Sequence, residues 1–176
     1  MAGRTKIWIA DKMKELMKTK SIDKIRVSEI CKLADIERPT FYYHFKDKYD
    51  LVVWIFLSDA YKTDVISAES AAKAMAKMRM DFIFYKRAYD DLSQNALWQY
   101  MLEYFVKRYE NEAQKKLNTD VLDAQLKYSI RLYCYGCVGM TKEWLLNDNT
   151  TSAEIIVKMM FESMPNNMRN IYFQDL

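Results

Sequence analysis

Glu37-Arg38-Pro39-Thr40-Phe41-Tyr42-Tyr43-His44-Phe45-Lys46-Asp47-Lys48-Tyr49-Asp50-Leu51 decides the fold of this 176-residue chain. Phe41 and Phe45 are four apart, so on a helix they share a face and can enter a small core. Arg38, Thr40, Tyr42, Tyr43 and His44 occupy the remaining arc, and none is acidic. A short helix offering only a cation, hydroxyls and aromatic edges suits a polyanion.

Working backwards, Val27, Ile30, Cys31 and Ala34 recur at i, i+3, i+4 and i+7, the apolar stripe of a second short helix. Ala34-Asp35-Ile36-Glu37 forms a tight connection, and Pro39 falls in the first turn of the next helix, where its missing N–H is tolerated. Two short helices joined by a three- to four-residue turn describe a helix-turn-helix, whose second member places its N-terminal residues on base edges. Ile9, Ala10, Met13, Leu16 and Met17 predict a longer amphipathic helix that braces the pair.

Thr40-Phe41-Tyr42-Tyr43-His44-Phe45, followed by Lys48 and Leu51, resembles the recognition helix and following helix start of TetR-family transcriptional regulators. The resemblance covers residues 5 to 55 and implies a sequence-specific DNA-binding regulator, a ligand-responsive repressor acting as a homodimer on a palindromic operator. Two positions depart from the family pattern. Asp35 stands where Gly is usual, and a left-handed Asp there costs roughly 1 kcal/mol. Glu37 stands where Ser or Thr usually caps the recognition helix, and Glu caps poorly.

Within the reading helix the chemistry ranks the contacts. The Arg38 fork can pair with guanine O6 and N7. Pro39 and Thr40 can touch a thymine methyl or a phosphate. By family analogy Tyr42, Tyr43 and His44 hold phosphates or base edges. Lys48, at the next helix start, and Ser28, at the start of the first helix of the motif, are expected to clamp phosphates.

Composition agrees. Three Gly and two Pro leave few turns, so an all-α fold is expected, with a helix-turn-helix domain over residues 1–48 and a helical effector-binding and dimerisation domain over 49–176. Half the residues are apolar, which argues against disorder. No membrane-span or signal pattern stands out, and three Cys suggest reduced thiols, so a cytoplasmic protein is expected. Residues 1–50 hold 12 Lys/Arg against 8 Asp/Glu, whereas the rest of the chain holds 15 against 16. The basic excess therefore sits in the helix-turn-helix segment, although a solvated Lys-rich first helix (Lys12, Lys14, Lys18, Lys20) accounts for part of it.

Beyond residue 50, periodicity predicts helices from near Lys48 to Ile66, from Ser70 to Arg87, from about Asn95 to Leu117, from about Thr119 to Leu146, and from Thr151 to just before Pro165. A break is expected near Asp90-Asp91-Leu92-Ser93, and Glu154 is read as part of a capping box. Residues 166–176 show no pattern. Gly136 and Gly139 lie within the long helix, where each costs ~1 kcal/mol relative to Ala. Close approach of another helix is the usual reason, from the same subunit or from a second one. Ile155, Met159 and Met160 (with Ile156 and Ser163) give the last helix its own apolar face. Tyr135-Gly136 through Glu143-Trp144 resembles the C-terminal domain of the TetR branch that includes dihydroxyacetone-kinase operon regulators. That resemblance implies a two-fold four-helix bundle. One short helix reads only a few base pairs, so palindrome reading also calls for a dimer.

No enzyme is indicated: His44 is the single His, and no Gly-rich phosphate loop occurs. Cys134-Tyr135-Gly136-Cys137 can be read as small buried residues, a redox pair or half a zinc site, and as a sensor it would place the regulator under metal or thiol control. A partner protein, or an activating role, is the other alternative. No cofactor is implied. Tyr85, Tyr89, Trp98, Met101, Tyr104, Phe105, Tyr128 and Met140 could line an adaptable pocket for a small-molecule effector, or simply form core.

Overall fold

A computed structural model describes residues 2–60, 66–90, 97–148 and 150–173, all helix and connecting turn with no strand among them. The chain divides into two compact units, Met1–Lys62 with Lys77–Leu97 and Thr63–Ala76 with Trp98–Leu176. The sequence places a division at residues 48/49. By compactness, the helix that follows it joins the first unit.

In the first unit, α1 (Ala2–Leu16) buries Ile9, Ala10 and Met13, with Met17 just beyond, as its periodicity predicts. A single 3₁₀ turn (Ile22–Lys24) follows, then α2 (Val27–Ala34), α3 (Arg38–His44) and α4 (Lys48–Ala60). Helix α1 packs on both α2 and α4. The α4 start is set by a reciprocal pair of carboxylates. Asp47 Oδ1 accepts from Tyr49 N and Asp50 N at 2.8 and 2.9 Å, while Asp50 Oδ2 accepts from Lys46 N at 2.9 Å. The helix expected to reach Ile66 is described to Ala60; residues 61–65 lie outside the described residues.

The segment expected as one helix over Ser70–Arg87 is two, α5 (Ala68–Met80) and α6 (Phe82–Tyr89), divided at Asp81. Asp81 has φ −96° and ψ 35°, yet Asp81 N still donates to Lys77 O and Tyr85 N to Asp81 O. Asp81 is thus the junction: its N–H closes the last turn of α5 and its carbonyl opens the first turn of α6. The Asp81 carboxylate accepts from Lys14 Nζ at 2.6 Å, tying α6 to α1. The break expected at 90–93 lies, apart from Asp90, outside the described residues.

In the second unit, α7 (Leu97–Leu117), α8 (Ala124–Asn147), α9 (Ala153–Glu162) and α10 (Asn166–Tyr172) surround a core rich in tyrosine. Tyr109 meets Tyr133 and Tyr172 edge-on, with centroids 5.8 and 5.0 Å apart. Both buried hydroxyls are satisfied: Tyr133 donates to Met160 O at 3.0 Å and Tyr172 to Tyr109 O at 2.7 Å. Helix α8 starts five residues later than expected. Asn118 is left-handed (φ 49°), and Asp123 caps the helix by accepting from Leu126 N at 2.8 Å. At α9 the cap is Ser152, whose Oγ accepts from Ile155 N, so Glu154 sits one place too early to close a capping box. Helix α10 replaces the patternless tail and inserts Met168 and Tyr172 into the core.

Candidate nucleic-acid interface and pairing face

The turn between α2 and α3 closes as a Schellman-type cap. Ile36 N donates to Cys31 O at 3.0 Å, and Asp35 takes φ 52°, ψ 51°. The left-handed residue expected at Asp35 is therefore present without glycine. Trp8 adds a third strut: its Nε1–H donates to Ala34 O at 2.9 Å, tying α1 to the last carbonyls of α2. The α2 start is fixed by Glu29, which accepts from Arg26 N at 2.9 Å and pairs with Lys20. Those two donors hold its carboxyl below the usual carboxylate range, the Lys20 contact first.

On α3, Phe41 and Phe45 are buried and contact each other at 5.8 Å. Phe45 also meets Trp54 of α4, and the Lys6 ammonium lies over both rings at 5.2 and 5.7 Å. With that ridge facing in, the remaining residues face out. Arg38 and Pro39 are exposed, Thr40 and His44 are half-buried, and Tyr43 is 80% exposed. Tyr42 is also exposed, and its hydroxyl accepts from Arg38 Nη2 at 3.4 Å, one helical turn away. Ser28 is exposed in the first turn of α2. Glu37 occupies the α3 cap position with extended backbone and no side-chain capping bond. Lys48, expected to clamp phosphate, has another occupation: Nζ donates to Asp23 O and Ile25 O, both at 2.9 Å.

On α8 an outward stripe runs along Tyr128, Leu132, Tyr135, Gly136, Gly139 and Met140. Ile155 and Met159 expose themselves on α9, at 50% and 54%. A groove of about 470 Å³ lies between the two helices, lined by Leu132, Gly136, Met140, Ile156, Met159 and Met160 among others. A methyl group built on Gly136 or Gly139 meets nothing within 4 Å. Packing within the subunit thus does not account for these glycines. Tyr128 (72% exposed) and Met140 belong to this outward face rather than to an enclosed effector pocket. Of the other residues expected there, Tyr85 and Tyr89 are fully buried in the first unit. Met101 is buried on α7, and Trp98, Tyr104 and Phe105 are half-buried on the same helix. Cys134 is buried and Cys137 half-buried; burial pushes both thiols up, Cys137 to about 11. No cluster of metal-ligating side chains occurs among the described residues.

A trihelical head with a left-handed turn and an acid-free reading helix is a helix-turn-helix DNA-binding domain. A family model described as bacterial regulatory proteins, tetR family, matches residues 9–54. A second, described as transcriptional regulator C-terminal region, matches residues 69–166. The chain belongs to the TetR family of DNA-binding transcriptional regulators. Among curated proteins it is 41% identical over 51 residues to the HTH-type dhaKLM operon transcriptional activator DhaS of Lactococcus lactis subsp. lactis (strain IL1403). That match spans 29% of this chain and 27% of the relative's length. A solved structure titled dihydroxyacetone kinase operon activator DhaS shares the fold, with a TM-score of 0.65 and 20% identity over 96% of this chain and 98% of that one. Among the described residues no helix is long and apolar enough to cross a membrane.

Proposed function

We propose that this protein is a homodimeric regulator that reads a palindromic operator with α3 and changes its grip when an effector binds the second unit. The observation carrying the dimer is the open glycine face of α8 beside exposed Ile155 and Met159: apolar helix surface of this kind is stable in water when another helix covers it. Met160 lies at the inner edge of the same groove. On the DNA side, Arg38 reads a guanine, while Pro39, Thr40, Tyr42, Tyr43, His44 and Ser28 supply thymine, base-edge and phosphate contacts. The half-buried aromatic side chains of α7 (Trp98, Tyr104, Phe105), next to Met101, are the place where a small-molecule effector would repack the second unit. The protein is not an enzyme on this reading and works in the cytoplasm.

Both relatives are named as activators, which favours activation over the repression expected from the sequence. Control through Cys134 and Cys137 is disfavoured, because both thiols stay protonated at neutral pH.

Duplex binding measured against salt, with an operator selected from a random library, tests the reading. Arg38→Ala is expected to lose ~1–3 kcal/mol on the selected site and much less on random duplex. Equal losses on both would make Arg38 a phosphate contact, and duplex binding insensitive to salt would remove the interface altogether.

A further inference from the structure

Arg38 opens α3 and Tyr42 lies one turn further on, so the two side chains share a face. They also touch. Arg38 Nη2 donates to the Tyr42 hydroxyl at 3.4 Å, and the guanidinium carbon lies 5.8 Å from the centre of the Tyr42 ring. Tyr42 leads the groups acting on the guanidinium, and no carboxylate of the described residues is among them, neighbouring Glu37 included. The ring has a seat of its own: it meets buried Phe41 edge-on, with centroids 5.5 Å apart. A flexible, exposed arginine is thus tethered to a side chain that the core helps to place.

The tether leaves both partners free to meet DNA. Nη2 carries two N–H groups and gives one to Tyr42; the other, with those of Nη1, remains for guanine O6 and N7. The Tyr42 oxygen accepts from Arg38, so its O–H can still donate to a phosphate or base edge. At 3.4 Å the bond is long: it confines the guanidinium to an arc, and a guanine completes the alignment. From this geometry we infer that Tyr42 is a specificity-determining residue that acts through Arg38, holding the guanidinium on the outer face of α3 within reach of a guanine, in addition to any DNA contact of its own. The inference rests on the DNA-binding reading of the head. An arginine held this way loses less rotamer freedom when it pairs, so the gain falls on the operator guanine and not on random duplex.

Tyr42→Phe removes the hydroxyl and keeps the ring with its Phe41 contact. Each guanine of the selected operator is replaced in turn by 7-deazaguanine, which lacks the N7 acceptor. Affinities are measured for the wild type, Tyr42→Phe, Arg38→Ala and the double variant. The guanine read by Arg38 is the one whose replacement weakens the wild type but not Arg38→Ala. There the wild-type penalty is expected to be about tenfold. Tyr42→Phe is expected to lower that penalty at least about threefold, the scale of one hydrogen bond. In the Arg38→Ala background the same change should leave the ratio of the two duplexes as it was. A penalty that stays the same or grows in Tyr42→Phe overturns the inference, because Tyr42 is then a DNA contact of its own only. A ratio that Tyr42→Phe alters without Arg38 overturns it as well. If no replacement distinguishes the wild type from Arg38→Ala, the guanine reading of Arg38 falls and the inference with it, an outcome seen before Tyr42 is varied.

Discussion

Replacing Gly136 and Gly139 with alanine should push subunit stability and dimer stability in opposite directions. Both lie inside α8 on an exposed face, neither has a positive φ, and a Cβ on either meets nothing within 4 Å in the isolated subunit. The subunit alone therefore gains only helix propensity, about 0.8–1 kcal/mol per substitution. For a chain of this size that raises Tm by about 2–4 °C per substitution. A second copy changes the sign. Two helices that cross at glycine approach more closely than at larger residues, and a methyl inserted into a packed interface costs about 1–3 kcal/mol. An isologous interface contains each substitution twice, so one change costs about 2–6 kcal/mol of dimer stability, at least about 30-fold in the dissociation constant. Sedimentation over a concentration series reads the dimer constant, and thermal unfolding of the dilute, monomeric sample reads the subunit. The expected pattern is a higher Tm for the dilute variant together with a weaker dimer. A higher Tm with an unchanged or tighter dimer would refute the reasoning and move the pairing face away from the glycines.

Asp35→Gly should stabilise the head by a few tenths to about 1 kcal/mol, because glycine relieves the left-handed backbone at φ 52° but adds unfolded-state entropy. Asp35→Ala should destabilise it, and equal urea midpoints for the two would discredit the strain. Glu37→Ser supplies the missing α3 cap, worth about 1 kcal/mol, and removes an anion beside the reading helix, so random duplex should bind more tightly as well. A stability gain without that tightening would place Glu37 away from the phosphates. The Cys137 thiol, raised to about 11 by burial, should label slowly with iodoacetamide at neutral pH and speed up only as pH approaches 11. Its contribution to stability is complete below the unfolded thiol's pKa of about 8.5. It is lost as pH climbs from there towards 11, where the unfolded chain sheds the proton first. Rapid labelling at pH 7 would reopen thiol sensing.

The head was legible because each of its signals is local. Phe41 and Phe45 one turn apart, the stripe from Val27 to Ala34, and a short residue at position 35 define the helix-turn-helix without reference to the rest of the chain. The same locality explains the misses. Asp81 divides α5 from α6, and its partner Lys14 lies 67 residues away, so nothing within a helical window marks the kink. Helix α10 is seven residues long, below the length at which periodicity carries weight, and it forms because Tyr172 reaches Tyr109 O and Asn167 reaches Ser129. One available signal was missed: Met168 and Tyr172, four apart after Pro165, repeat the Phe41/Phe45 pattern in miniature.

Sites follow the same division. Periodicity tells which side of a helix is apolar but not what covers it. Tyr85, Tyr128 and Met140 therefore read alike as pocket candidates, yet Tyr85 is fully buried while Tyr128 and Met140 stand on the open face of α8. Lys48 shows the reverse ambiguity. A lysine at a helix start beside a reading helix has the sequence signature of a phosphate ligand, whereas the carbonyls that claim its ammonium come from a 3₁₀ turn more than 20 residues earlier. Residue type bounds the partners a side chain can take, and only the packing of distant segments selects among them. The strongest sequence inferences here were accordingly those whose partners lie within one turn, and the partners of Lys48 and the exposure of Tyr128 and Met140 had to come from the fold.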